Sequence, residues 1–249
     1  MIAQKPRHHR GVTADLDGEG AALACSALNK TRKAAMPAPD SDGFLDLWPT
    51  TLLRRSLPGH DIANAELGRL IQAMEAQHAD LTTDYRGGNL LTVENPAVSW
   101  LRDCINKTVI DYLKRAGLDY AVNWHLQGWA NVNRRGDYHD PHNHPHAYLS
   151  GTYYVQVPDM ENPPKENRSD VRPGAISFYD PRGAANMTAI RGDRQIEAEF
   201  THRPKAGDIL LWPAFLTHFV HPNLSDAARI SISFNAVLKW SDAYLPDQN

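Results

Sequence analysis

The chain reads Gly136-Asp-Tyr-His-Asp-Pro-His-Asn-His-Pro-His-Ala-Tyr-Leu-Ser-Gly-Thr-Tyr-Tyr-Val155, which places four of its twelve histidines directly ahead of an apolar run. Side chains two residues apart on an extended backbone point to the same face, so His142 and His144 are placed to hold one metal ion together. Histidines in a loop rich in Pro and Asp are also common on solvated surfaces. This stretch alone leaves both interpretations open.

The composition predicts a soluble globular protein. The 249 residues are 42% apolar, which suffices for one large or two small domains with a sizeable core. A net charge of −3 with interspersed acids and bases does not favour nucleic acid as a partner. No stretch approaches the roughly 20 apolar residues of a membrane-spanning helix, and the first ten residues lack the apolar core of a signal peptide. With only Cys25 and Cys104, far apart, we expect a cytoplasmic protein with reduced thiols.

The first part of the chain divides into a tail and the start of a domain. Residues 1–43 mix charged residues with Pro and Gly, and we expect a poorly ordered or docking tail with one short helix at Ala21–Leu28. We expect residues 44–249 to form a single domain. Its first strand would span Phe44–Leu53, interrupted or ended at Pro49.

Two helices follow, and each has start signals in the sequence. The first would be capped by Asp61 and would bury a helically spaced set: Ile62, Leu67, Leu70, Ile71 and Met74. The second has Asn95 as its cap, Pro96 at its first position and Gly117 at its end. We expect both helices to pack against one sheet.

After Gly117 the apolar pattern changes to a period of two, which predicts strands. The predicted strands are Tyr120–Val132, Leu149–Val157, Gly174–Tyr179, Ile190–Phe200, Asp208–Trp212 and Arg229–Leu238. Many short strands separated by Pro, Gly, Asn and Asp are typical of a sandwich or barrel. We therefore predict a mainly β protein with N-terminal helices, an α+β arrangement around a jelly-roll, cupin-like core. The polar loop of residues 158–173 could form a lid.

A second group of motifs lies downstream of the histidine-rich stretch. The chain contains, in order, His-x-His, Ser-Gly-x-Tyr-Tyr, Asp-Pro-Arg, His-x-Val-x-Pro-Asn and Arg-x-Ser, within about residues 127–238. In this set the chain resembles the 2-oxoglutarate- and Fe(II)-dependent oxygenases, specifically the bacterial and phage group related to prolyl 4-hydroxylases. The resemblance implies a double-stranded β-helix that uses Fe(II) as cofactor and 2-oxoglutarate and O2 as cosubstrates.

The resemblance also implies roles for individual residues. His142 would be the first metal ligand and His218 the distal one. Arg229 would bind the distal carboxylate of 2-oxoglutarate, with Ser231 adding a hydrogen bond and Tyr154 touching the cosubstrate. The chemistry of Arg229 agrees, because a planar guanidinium matches a carboxylate with two parallel hydrogen bonds.

The alternation of Arg229-Ile-Ser-Ile-Ser-Phe-Asn235 supports these roles independently of the resemblance. Its polar residues share one face of a strand and its apolar residues share the other. A polar inward face with an apolar outward face suits a barrel whose interior holds an anionic ligand.

The chain departs from the superfamily at one ligand position. The usual site has two histidines and one carboxylate, but the carboxylate position two residues after His142 holds His144, as it does in the close group. We expect His142, His144 and His218 as the metal ligands, with Asp140 or Asp137 as an alternative source of a carboxylate. Three neutral imidazoles would leave the site at 2+, which favours a dianionic cosubstrate.

For the other histidines and for one arginine, the sequence predicts only an approximate location. His139 and His146 are expected in loops, where they could orient the ligands, and His221 is expected at the surface or the mouth of the site. Asp180-Pro-Arg182 reads as a turn whose arginine could reach a substrate.

The sequence therefore predicts an enzyme, a dioxygenase that hydroxylates a C–H bond of an amino acid, peptide or other small molecule, releasing succinate and CO2. We expect no catalytic residue beyond the metal ligands, and no nucleic acid or membrane partner; a homodimer stays open. One alternative is a three-histidine, cupin-type oxygenase that does not use 2-oxoglutarate. Another is a noncatalytic jelly roll that binds a metal or ligand. The sequence does not identify the substrate.

Overall fold

The computed structural model describes residues 43, 47–77, 88–118, 121–159, 171–183, 192–193, 195–241 and 244. The helices and the strands before residue 160 are β1 (Leu53–Ser56), α1 (His60–Glu75), a 3-10 turn (Leu90–Thr92), α2 (Pro96–Arg115), β2 (Trp124–Asn133), β3 (His139–His142) and β4 (Leu149–Gln156). The strands after that point are β5 (Ile176–Tyr179), β6 (Glu199–His202), β7 (Asp208–Pro213), β8 (His218–Val220) and β9 (Arg229–Leu238).

The strands form two antiparallel sheets. The major sheet has the order β1-β7-β4-β9-β2, and the minor sheet has the order β3-β8-β5-β6. This two-sheet arrangement with two helices confirms the predicted mainly β, jelly-roll class. β9 lies between β4 and β2 and has the bounds that its alternation predicts, Arg229–Leu238.

The caps of α2 are confirmed, whereas the predicted start of α1 is wrong. Asn95 accepts hydrogen bonds from the backbone N–H groups of the first turn of α2, and Gly117 adopts φ 80° just beyond its end. α1 begins at His60 after Gly59, without a side-chain cap. Ile62 was expected in the core but is 84% exposed, because α1 buries the stripe through Ala63, Leu67 and Ile71 instead.

Several strand predictions need correction. Phe44–Leu53 is not a strand over its described part, residues 47–52; β1 begins at Leu53, where pairing with Leu211 of β7 starts. The strand predicted at Ile190–Phe200 is shorter and later, because β6 pairs with β5 only from Glu199 onward. The short β3 and β8 were missed, since three or four residues of mixed polarity show no period of two.

The apolar core lies between the helices and the outward face of the major sheet. The outward residues of β9 are Ile230, Ile232, Phe234 and Ala236, and all are buried in one cluster with the apolar residues of α1 and α2. Tyr153 of β4 joins the two layers, since its hydroxyl donates to Asn64 of α1 at 2.5 Å. The expectation that the helices pack on one sheet agrees with this contact. A smaller apolar cluster lies between the sheets and includes Phe178 and Trp212.

The inward face of the major sheet is polar, and the pairing arranges it in rows. Asn133 of β2 is opposite Arg229 of β9. The further rows pair Ser231 with Asn131 and Tyr154, Ser233 with Trp129 and Thr152, and Asn235 with Gln127 and Ser150. This confirms the predicted polar inward face of the last strand.

Some expectations concern residues outside this description. Residues 1–42 of the expected tail, including the expected helix at 21–28, lie outside the described residues. Residues 160–170 of the expected lid also lie outside them. The domain boundary near residue 44 stays a prediction. Among the helices that the structure describes, none has the length and apolarity needed to cross a membrane.

Gly151 of β4 offers a test of how tightly β4 packs against its neighbours. An added Cβ would lie 2.6 Å from the carbonyl oxygen of Leu210 and would overlap the ring of Phe234. We expect Gly151→Ala to lower the free energy of unfolding by about 1–3 kcal/mol, because a backbone carbonyl and a buried ring cannot both move away. The midpoint of urea unfolding measures this change.

Gly68 of α1 is the matched control, since an added Cβ there meets no atom within 4 Å. Gly68→Ala should raise stability by about 0.5–1 kcal/mol, because alanine loses less backbone entropy in a helix. Equal effects of the two substitutions would contradict the close approach at Gly151.

Candidate functional site

Three histidines converge between the two sheets. His142 ends β3 and pairs directly with His218 at the start of β8, while His144 follows two residues later. One ring nitrogen from each of the three lies within 4.8 Å of the others. The structure therefore brings together the residues expected to bind a metal, and their role as ligands stays a prediction.

The hydrogen bonds of two histidines determine which ring nitrogen remains available. Nδ1 of His142 lies 2.5 Å from the carbonyl oxygen of Asp140, and Nδ1 of His218 lies 3.1 Å from that of Leu216. A carbonyl oxygen only accepts, so both Nδ1 atoms carry the proton. Each Nε2 then keeps a free lone pair, which is the arrangement typical of metal-bound imidazoles.

Burial keeps two of the three imidazoles neutral. Burial, with a smaller contribution from the charge of His142, lowers the pKa of His144 to about 4. The same two causes, burial first, lower the pKa of His218 to about 3. Neutral imidazoles with free lone pairs suit Fe, Zn, Ni or Cu ions, so the donor set fits a transition metal.

The alternative with a carboxylate ligand has no support in the described residues. Asp140 contributes its backbone carbonyl to His142, as given above, and Asp137 accepts a hydrogen bond from the backbone N–H of Arg134 at 2.7 Å. The convergent group contains histidines alone.

The histidines line one wall of a cleft that we call the histidine cleft. Its lining residues are Trp129, His139, His142, His144, Ser150, Gly151, Thr152, Tyr154, Ile176, Trp212, His218, Val220, Arg229, Ser231 and Ser233. The predicted cosubstrate residues Arg229, Ser231 and Tyr154 are thus in the same cleft as the three histidines.

Arg229 is buried without a carboxylate partner. Its side chain is 1% exposed and donates to two neutral oxygens, the carbonyl of His221 and Oδ1 of Asn133, both at 3.2 Å. No ion pair of Arg229 occurs among the described residues. Burial lowers the pKa of this guanidinium, yet arginine stays protonated in proteins. A buried, unpaired cation is costly, and its position in a cleft suits an anionic ligand.

Tyr154 and Ser231 are neighbours of this cation. They lie opposite each other on β4 and β9, and Nδ2 of Asn131 approaches Oγ of Ser231 at 3.5 Å. Burial raises the pKa of the Tyr154 hydroxyl, while the charge of Arg229 lowers it. The hydroxyl is therefore neutral and can donate a hydrogen bond.

Two histidines lie in places that the sequence did not suggest. His139 is part of β3 rather than a loop, lines the histidine cleft, and contacts Nδ2 of Asn133 at 3.2 Å. His221 was expected at the surface or the mouth of the site; it is 1% exposed, and its Nε2 is 2.8 Å from Oγ of Ser177. Neither position follows from spacing, because both depend on how the minor sheet folds over the major one.

His146 and Arg182, the other two residues considered in the sequence, lie outside the histidine cleft. His146 is exposed in a turn. Asp180-Pro-Arg182 is a turn, in which Arg182 pairs with the Asp180 carboxylate at 2.6 Å and donates to the carbonyl of Gln195. Arg182 does not line the histidine cleft. The alternation of β2 could have indicated Trp129, Asn131 and Asn133 as inward residues.

Comparison with known families concerns the part of the chain that forms the cleft. Residues 127–235 match the family model described as putative 2OG-Fe(II) oxygenase, a family that depends on Fe(II) and 2-oxoglutarate. This segment contains the three convergent histidines and Arg229. No curated protein sequence matches the chain significantly.

Solved structures share the fold. A prolyl-4-hydroxylase from Pseudomonas putida is 12% identical, with 77% of this chain and 89% of that chain covered at a TM-score of 0.51. A prolyl hydroxylase from Trichoplax adhaerens, solved with a peptide fragment of the hypoxia inducible factor, is also 12% identical, with 75% and 83% covered at a TM-score of 0.51. At this identity the likeness establishes the fold alone.

His218 and His146 provide a matched test of the metal site. We expect His218→Ala to lose stoichiometric Fe(II), because removal of one of three ligands leaves an incomplete donor set. His146→Ala should keep the metal, since this exposed histidine is outside the convergent group. Metal content after anaerobic loading and desalting measures both; full retention in His218→Ala would exclude it as a ligand.

Proposed function

We propose that the chain is a 2-oxoglutarate- and Fe(II)-dependent oxygenase, the family whose model residues 127–235 match, and that it hydroxylates a C–H bond of an amino acid, peptide or other small molecule. The observation that carries this proposal is the buried Arg229 cation, without a carboxylate partner among the described residues, in the same cleft as the three convergent histidines.

In this proposal His142, His144 and His218 hold the metal through one ring nitrogen each. Fe(II) bound there supplies oxygen activation coupled to oxidative decarboxylation of 2-oxoglutarate, which yields succinate, CO2 and the hydroxylated product. The protein supplies the geometry. The backbone carbonyls of Asp140 and Leu216 hold two rings in the orientation that leaves Nε2 free.

Arg229 would position the cosubstrate from the opposite end of the cleft. Trp129 pairs with Ser233, four residues along β9 from Arg229, and its ring lies 6.0 Å from that of His144, with the two planes tilted by 39°. Asn133 and the His221 carbonyl hold the guanidinium, and Ser231 and Tyr154 would contact the same carboxylate.

The charge balance also favours this cosubstrate. Three neutral imidazoles leave a bound divalent metal at 2+, and Arg229 adds a second positive region to the cleft. A dianion with one carboxylate at each end compensates both charges in a site shielded from water.

The substrate class is a wider proposal. The Trichoplax enzyme is a prolyl hydroxylase solved with a peptide, which supports a peptide or amino acid as the substrate here. We also propose that the protein acts in the cytoplasm, because two cysteines far apart in the sequence, Cys25 and Cys104, are typical of a protein with reduced thiols.

One observation favours a different function. The third member of the group is His144 rather than a carboxylate, and three-histidine sites also suit oxygenases that bind their substrate directly to the metal without 2-oxoglutarate. In that case Arg229 would bind the anionic group of the substrate. A noncatalytic jelly roll that binds a metal or ligand is the remaining alternative.

Anaerobic addition of 2-oxoglutarate to the Fe(II)-loaded protein separates these functions. We expect a visible metal-to-ligand charge-transfer band, and succinate formation once oxygen is admitted with substrate. The absence of the band would contradict use of 2-oxoglutarate. The band without oxygen consumption across a broad panel of amino acids and peptides would favour a noncatalytic site.

Arg229 is the residue whose replacement should separate cosubstrate binding from metal binding. We expect Arg229→Ala to keep the metal and to weaken 2-oxoglutarate binding at least about thirtyfold, because the distal carboxylate loses a desolvated charged partner. Arg229→Lys should restore part of the affinity, since it keeps the charge without the planar fork.

Isothermal titration of the anaerobic Fe(II) protein measures these affinities. Arg203→Ala is the control, because Arg203 is exposed and contacts only the carbonyl of Pro173 among the described hydrogen bonds. Normal 2-oxoglutarate binding by Arg229→Ala would show that another group binds the distal carboxylate.

A further inference from the structure

Trp212 of β7 carries a buried hydrogen-bond donor for which the described residues provide no partner. Its side chain is 2% exposed, and its indole N–H makes no hydrogen bond within the described part of the chain. Buried polar groups are nearly always paired, so each exception calls for an explanation such as a bound ligand. An indole N–H can only donate, and its missing partner is therefore an acceptor.

The other unpaired polar atoms help to isolate this one. Four buried side-chain atoms of the described residues lack a hydrogen bond. Two of them belong to His60 and His202, which each have a carboxylate oxygen within 4 Å. The remaining two are Oδ1 of Asn131 and Nε1 of Trp212, and both residues belong to the inward face of the major sheet.

Trp212 lies at the histidine end of the cleft, away from Arg229. It pairs with Ser150, which in turn pairs with Asn235, and Asn235 is six residues along β9 from Arg229. The indole ring also packs against the His218 imidazole, with ring centroids 4.9 Å apart. The indole is therefore beside a histidine that is expected to bind the metal, whereas Arg229 belongs to a different row of the sheet.

The two ends of the cleft thus offer different chemistry. Arg229 offers a charged fork that matches a carboxylate, and Trp212 offers one neutral donor next to the histidines. A 2-oxo acid has the complementary arrangement, since its keto-acid head binds at the metal and its distal carboxylate lies several bonds away. The head carries carboxylate and keto oxygens, and each of these oxygens can accept a hydrogen bond.

We propose that the indole N–H of Trp212 donates a hydrogen bond to an oxygen of the keto-acid head of the bound 2-oxo acid. This proposal rests on the proposed function and adds a second contact point, independent of Arg229. Packing beside Phe178, with ring centroids 5.0 Å apart, does not by itself require an indole, because a purely apolar side chain would pack there without burying an unpaired donor.

Trp212→Phe tests the proposal, because it keeps an aromatic ring, although a smaller one, and removes the donor. Three probes are titrated into the anaerobic Fe(II) protein: 2-oxoglutarate with head and tail, pyruvate with the head alone, and pentanoate with the tail carboxylate alone. Loss of one hydrogen bond to a charged acceptor should weaken 2-oxoglutarate and pyruvate binding by about tenfold. Pentanoate binding should not change.

Two further variants give the experiment its controls. Arg229→Ala should show the reverse pattern, with weaker pentanoate and 2-oxoglutarate binding and unchanged pyruvate binding. Trp124→Phe removes an indole N–H that donates to Asn106 at 3.0 Å, outside the histidine cleft. It should leave all three affinities unchanged.

The outcomes separate this inference from the proposed function. If the unaltered protein binds 2-oxoglutarate and Trp212→Phe binds 2-oxoglutarate and pyruvate within twofold of it, the inference is overturned and the proposed function stands. If the unaltered protein does not bind 2-oxoglutarate at all, the proposed function itself fails.

A measurement on the unaltered chain covers the case in which Trp212→Phe folds poorly. In the protein labelled with 15N-tryptophan and loaded with Zn(II), the Trp212 indole N–H signal should move downfield with pyruvate and keep its position with pentanoate. An unchanged signal with pyruvate at saturation would overturn the inference.

Discussion

The antiparallel pairing of β9 with β2 on one side and β4 on the other is the interaction on which the site depends. β9 separates two environments, because its apolar residues pack against α1 and α2 while its polar residues face the histidine cleft. A shift of one residue in its register would exchange the two faces and move Arg229 into the helix layer. The close approach of Gly151 to Phe234 opposes such a shift.

Burying the polar and charged side chains of the cleft costs electrostatic free energy. Among the described residues, the buried Arg229 donates hydrogen bonds to neutral oxygens and to no carboxylate, and burial keeps His144 and His218 uncharged. Such groups are expensive in a protein interior unless a ligand completes them. A divalent metal at the histidines would add positive charge to the cleft, and a dianion bound between the metal and Arg229 would neutralise the charge of both. The binding of the two is therefore expected to be mutually favourable.

Features of this protein could be predicted well from the sequence where they depend on residues within a single helix or strand. Asn95, Pro96 and Gly117 mark the ends of α2, and the alternation of residues 229–238 gives the bounds and both faces of β9. Predictions failed where the feature depends on packing or pairing with another helix or strand. Ile62 has helical spacing yet is exposed, since the sheet lies against the other side of α1. β3 and β8 exist because they pair with each other, and neither has a pattern of its own.

The sequence by itself determined the mainly β class, the order of the motifs, and the residue types needed for a metal and a carboxylate. Its information is local, since periodicity and caps depend on residues a few positions apart. The resemblance implied that His142, His144 and His218 share a metal site, but only the tertiary structure shows what brings them together, because His142 and His218 are distant in the chain and are joined by the pairing of β3 with β8. It also decided that His221 is buried, that His139 lines the cleft, and that the Trp212 donor is unpaired. Burial and partnership depend on what other segments place around a side chain, and spacing along one segment does not contain that information.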